Sequence, residues 1–203
     1  MLVLVKAESP RSASAEGTSG YVAEHLQSTV EAGPFLSLPG YLDALGRVRP
    51  YVANPRTWAK AGWDLTQPLP DDLVTGLLHG QSLQGYPLTR PRAGGTGWQR
   101  PKESIITLPT EVAEVLAVEP PWKAHLLLKE LFQCLAAQVD ARAVRVRVGH
   151  GRQEWRSAAC LSLGFPHGQN ERGEAQPHVH SITFAPAWDE EGHWRTRDTA
   201  AFL

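Results

Sequence analysis

The stretch HGQNERGEAQPHVHSITF, residues 167–184, holds three of the chain's eight histidines, and its reading decides the fold. His178 and His180 are one residue apart. In an extended chain, residues two apart project from the same face. Both imidazoles therefore point one way, and Val179 points into the core. The apolar run SAACLSLGF, 157–165, reads as the preceding strand, and the polar stretch 166–176 as a loop. A hairpin then sets His167 beside the start of the strand carrying His178. Three imidazoles converging on one point make a divalent-metal site with open positions, as catalysis requires.

A lone His-x-His pair is common by chance, and a single histidine on a sheet face is usually a hydrogen-bonded surface residue. The third histidine across the predicted hairpin is what favours a metal. Two other His-x-His chemistries do not fit. A cupin needs a glutamate soon after His180, and SITFAPA (181–187) has none; a histidine-triad hydrolase needs histidine at Ile182.

Working outward, EGHWRTRD (191–198) predicts a turn and a short strand. RAVRVRVG (142–149) alternates Val144, Val146 and Val148 with Arg145 and Arg147, a half-buried strand. WKAHLLLKELFQCLAAQV (122–139) is apolar nearly all round and predicts a deeply packed helix. ESIITLP (103–109) predicts a buried strand, with a helix from about Thr110. LPDDLVTGLLHG predicts a helix from near Pro70 to Gly80. Residues 84–101 read as a Gly/Pro/Arg-rich loop. GYVAEHLQSTVEAG (20–33) has helical spacing, LPGYLDALGRVRP (38–50) suggests a second short helix, and LVLVK (2–6) a first strand. The last three strands are joined by short connections and must be antiparallel neighbours. The expectation is an α+β fold: a central antiparallel sheet with helices packed mainly on one face, as one domain over 1–203.

Bulk composition sets limits. The 203 residues are 42 % hydrophobic, enough for a substantial core. A net charge of −1 means that any basic surface is local. Cys134 and Cys160 lie in apolar runs and read as buried free thiols in a reducing compartment. The N-terminal apolar run is too short for a secretory signal, and no stretch approaches a membrane span. The protein is expected in the cytoplasm, without a membrane partner.

Residues 167–198 resemble the metal motif of conjugative plasmid relaxases of the TrwC/TraI (MobF) type, which are HUH endonucleases. The spacing from His167 to His178 fits that motif. Gln176 falls at its glutamine, Pro177 replaces its usual leucine, and Glu191, Gly192, Trp194 and Arg195 match its acidic hairpin. Upstream, residues 57–90 are similar to the family's Trp-x-Gly-x-Gly segment and the turn after it. Lys60 and Gly85 match there, and Ala59 and Ala61 depart. ESIITLPTEVAEVL (103–116) resembles its strand–helix junction, with Pro109 and Val112 aligned and Glu103 at the place of a catalytic-site aspartate.

The resemblance implies a relaxase-like domain, short for its family, that nicks and rejoins single-stranded DNA in plasmid or mobile-element transfer. Its alternatives are a rolling-circle initiator-like HUH nuclease and a non-cleaving DNA-binding module. It implies a divalent cofactor, Mg²⁺ or Mn²⁺ before Zn²⁺, held by His167, His178 and His180. A tyrosine would form a 5′-phosphotyrosine link. Tyr21 fits by distance from the first strand and Tyr41 by distance from Trp58; Tyr21 is preferred. Glu103 would orient a metal histidine or accept the tyrosine proton. DNA contacts are expected from Arg90, Arg92, Trp98 and Arg100 in the long loop and from Arg145 and Arg147. Other conjugation or replication proteins are possible partners.

Overall fold

The structure is a computed structural model that describes residues 4–8, 51–65, 69–88, 101–149, 154–169 and 175–198. The helices expected over 20–33 and 38–50 lie outside these residues. The strands are β1 (Leu4–Glu8), β2 (Tyr51–Val52), β3 (Lys102–Thr107), β4 (Arg145–Val148), β5 (Glu154–Gln169), β6 (Ala175–Asp189) and β7 (Trp194–Thr196). The helices are α1 (Pro55–Lys60), α2 (Asp71–Leu78), α3 (Thr110–Ala117) and α4 (Pro121–Ala143). The sheet runs β1-β3-β6-β5-β2, with β4 added to β5 and β7 to β6. Every pairing is antiparallel. This is the expected α+β architecture, with most of the helix on one face.

The 16-residue β5 and 15-residue β6 form the spine. They reach further than the expected strands and take in Pro166 to Gln169 and Ala175 to Gln176 of the stretch expected as a loop. Alternation sorts their side chains. Leu161, Leu163 and Phe165 of β5 join Ile182 and Phe184 of β6 on one face, under Trp58 of α1 and Val74, Leu77 and Leu78 of α2. Val179 and Ile106 face the other way and pack with Leu128 and Phe132 of α4. Gly164 allows that close approach: a Cβ there would meet Phe132 and Val179 side-chain carbons at 3.0 Å.

Local signals set the helix ends. Asn54 takes a left-handed conformation (φ 47°) just before Pro55, which opens α1. Gly80, at φ 74°, follows the end of α2. Beyond the end of α4, the Arg145 guanidinium donates to the carbonyls of Val144 (2.8 Å) and Ala141 (3.3 Å).

Two expectations fail here. Helix α4 is not packed all round: it buries Ala124, Leu128 and Phe132, four residues apart, and leaves Trp122 and Leu126 about half exposed. The sheet covers only one side of it. Cys134 lies on that open side and is exposed, whereas Cys160 is buried. The two-residue β2 was not anticipated. It is secured by Tyr51, whose hydroxyl donates to the His125 carbonyl (3.0 Å) and lies 2.8 Å from His125 Nδ1.

Asp140 ties α4 to the spine. Its carboxylate accepts from the Cys160 amide at 3.1 Å and from the Asn54 side chain. Burial outweighs the Cys160 hydrogen bond and raises its pKa to about 7. An acid whose pKa is higher folded than unfolded stabilises the fold at low pH and loses that contribution as pH rises through the folded value. The difference in urea stability between wild type and Asp140→Asn is therefore expected to shift against the wild type as pH rises from about 4 to about 7. Asp140→Ala strands the Cys160 amide and is expected to cost about 1–3 kcal/mol. Gly164→Ala overpacks the α4 contact and is expected to cost about 1–3 kcal/mol in the same urea titration.

Candidate metal centre

The ladder places the three histidines. His167 of β5 is paired with His178 of β6, and Phe165 with His180, so the imidazoles share a face. On the other side of β6, Thr107 of β3 is opposite His178, Ile105 opposite His180 and Glu103 opposite Ile182. Glu103 is thus the diagonal neighbour of His180, within reach of a long side chain.

The rings converge. Their centroids lie 5.1 Å (His167–His178), 4.7 Å (His167–His180) and 5.0 Å (His178–His180) apart. One nitrogen from each lies within 4.8 Å of the other two. His180 Nδ1 is 2.7 Å from Glu103 Oε1, and His178 Nδ1 is 2.7 Å from the Gln176 carbonyl. Both partners accept, so each Nδ1 carries the proton and each Nε2 presents a lone pair. The two Nε2 atoms stand 3.2 Å apart. Two lone pairs at that distance repel unless a proton or a cation lies between them. Metal–nitrogen bonds of about 2.0–2.1 Å in tetrahedral geometry put their ligands roughly 3.3 Å apart. The donor set and the spacing of these partly buried rings fit a divalent ion. Glu103 is 3 % exposed and His180 13 %, so the carboxylate is a buried support behind a mostly buried ring.

Asp189, Glu191 and His193 also bring ligand-type atoms together. Their geometry is that of a turn. Asp189 accepts from the amides of Glu191 (3.0 Å) and His193 (2.8 Å) and from Arg195 Nε (3.1 Å). Burial raises its pKa, but the His193 amide and Arg195 outweigh this and hold the carboxyl below the ordinary range. Gly192 supplies the turn's positive φ, and Trp194 Nε1 donates to Gln84 Oε1.

The other predicted residues divide. Tyr21, Tyr41, Arg90, Arg92, Trp98 and Arg100 lie outside the described residues. Arg145 caps α4, and Arg147 pairs with Asp198. Tyr51 packs with Phe132 on the face away from the histidines. Tyr86 is 69 % exposed in the turn that Gln84 fastens to β7. Trp194 pairs with Trp188, eight positions along β6 from His180 and about 26 Å away by strand rise. Sequence reasoning missed the Gln176 carbonyl, whose role is a backbone one and leaves no residue-type signal.

No protein-family model matches the sequence, and no curated protein is significantly similar. Solved structures do match. A conjugative relaxase TrwC bound to oriT DNA and copper is 13 % identical, with a TM-score of 0.71 over 99 % of this chain and 63 % of that one. The fold is that of the TrwC relaxase. A metal-free TrwC–oriT complex gives 0.69 at 13 % identity, over 99 % of this chain and 62 % of that one. TrwC with a 27-mer comprising the recognition hairpin and cleavage site gives 0.62 at 15 % identity, over 98 % and 61 %. The chain therefore spans about three-fifths of the relaxase chains it matches.

In calorimetric titration with Mn²⁺ or Zn²⁺, His178→Ala is expected to abolish binding, and Glu103→Gln to weaken it about 10–100-fold. Wild-type affinity in Glu103→Gln would refute the supporting role of the carboxylate.

Proposed function

We propose that the protein is a metal-dependent nuclease that nicks and rejoins single-stranded DNA through a covalent tyrosine link. The observation that carries this reading is the convergence of His167, His178 and His180 with Glu103 behind His180. The relaxase fold of complexes with oriT DNA supports the choice of substrate. The three histidines would hold a divalent cation, Mg²⁺ or Mn²⁺ before Zn²⁺. When bound, it would polarise a non-bridging phosphate oxygen and offset the charge that gathers in the transition state.

The chain's own residues do the rest. A tyrosine hydroxyl, Tyr21 by preference and Tyr41 otherwise, attacks the scissile phosphorus. It gives up its proton as the new P–O bond forms, and the 3′ oxygen takes one as its own bond breaks. The 5′ end is then held on the protein while the 3′ hydroxyl is free to reverse the step. Glu103 keeps His180 in the tautomer that presents Nε2, and the Gln176 carbonyl does the same for His178. This activity belongs to plasmid or mobile-element DNA transfer in the cytoplasm, alongside other conjugation or replication proteins. Among the described residues, no helix is long and apolar enough to cross a membrane.

Labelled single-stranded oligonucleotides from plasmid origins, incubated with Mn²⁺, test the reading. A denaturant-resistant protein–DNA adduct is expected, lost in Tyr21→Phe or, failing that, Tyr41→Phe. Removing one histidine should slow its formation by about 100-fold or more, the scale of losing a group that stabilises transition-state charge. Tight DNA binding without an adduct would leave a binding module. Neither binding nor adduct would point the histidines to a small-molecule reaction.

A further inference from the structure

Trp155 lies on β5 at the end remote from His167, and 45 % of it is exposed. A tryptophan usually gains more by burial, because it is the side chain with the most apolar surface to hide. Its cross-strand partner on β4 is Arg147. The guanidinium carbon stands 4.5 Å from the indole centroid, within cation–π range. Asp198 holds the same guanidinium by an ion pair, and the Asp198 amide donates to the Arg145 carbonyl at 2.7 Å. Arg147 is thus fixed over the ring yet keeps 43 % of its side chain exposed. Nearby Arg156 pairs with Glu154 and Glu191, so positive charge here is largely matched by negative. What this end of the sheet offers is flat π surface with a clamped, delocalised cation.

Unpaired bases stack on aromatic rings and guanidinium planes with little regard to sequence. The geometry points to Trp155 and Arg147 as a second contact for single-stranded DNA, a stacking platform separate from the histidine centre. This rests on single-stranded DNA being the substrate. Trp155 and His167 are twelve positions apart on β5, about 40 Å at the usual strand rise. A stacked strand rising about 3.4 Å per nucleotide covers that distance in roughly a dozen nucleotides. The platform therefore acts on affinity well away from the scissile phosphate. Its contribution is stacking, so it depends little on salt.

Anisotropy with labelled oligo(dT) of roughly 30 nucleotides, long enough to reach from one site to the other, tests this. Trp155→Ala is expected to weaken binding about tenfold or more, Trp155→Phe to restore most of it, and Arg147→Ala to weaken it less. The loss in Trp155→Ala should be nearly the same at about 50 and 200 mM salt. Circular dichroism melts confirm that the variants fold. Wild-type affinity in Trp155→Ala, or no binding by the wild type, overturns the platform. Adduct formation with Mn²⁺ at saturating DNA separates the two proposals. Trp155-dependent binding without any adduct removes the nuclease reading and keeps the platform. An adduct formed with no dependence on Trp155 does the reverse.

Discussion

The pairing of β5 with β6, from Ala158 opposite Asp189 to Gln169 opposite Ala175, is the constraint on which the rest depends. Side chains on a strand alternate, so a slip of one residue would send every inward group outward. Here a slip would do more than expose Leu163 and Ile182. It would part His167 from both His178 and His180. The same register that closes the core assembles the site, so core packing and site geometry are selected together.

The register is secured along its length. At one end, the buried Asp189 carboxylate takes three donors and closes the turn into β7. In the middle, Gly164 admits Phe132, a fit available only where a residue without a side chain faces α4. Nearby, Asp140 takes the Cys160 amide next to the point where the ladder shifts, between Cys160 and Ser162. Irregular pairing leaves backbone groups without strand partners, and a buried carboxylate is a strong acceptor for such an amide.

The legible parts of the sequence were those where one residue pattern has one physical reading. The His-x-His spacing, the Val/Arg alternation of β4 and the Pro70–Gly80 boundaries of α2 were of that kind. The similarity of residues 103–116 to a known junction put Glu103 at the site, and β3 delivers it there through pairing with β6. Illegible features depended on what lay opposite. The apolar surface of α4 suggested burial all round, but periodicity reports one helix and cannot count the layers around it; Trp122, Leu126 and Cys134 fall on the uncovered side. Strand β2 has two residues, too few for any period, and exists because Gly164 and Leu163 offer it a ladder. The Gln176 carbonyl acts through the main chain, which every residue shares.

Building the centre on strands has an energetic consequence. Three imidazoles from two paired strands, with a carboxylate from a third, are held in place by the sheet's hydrogen bonds. Little ordering would remain to be done on binding a cation, which would favour affinity. Glu103 and the Gln176 carbonyl fix both Nδ1 protons, so His178 and His180 turn their Nε2 lone pairs toward each other at 3.2 Å. That repulsion is relieved by a proton or by a cation, and a cation that binds only the folded chain stabilises it. The two supports that fix the Nδ1 protons are thus the same two that favour a positive charge between the Nε2 atoms.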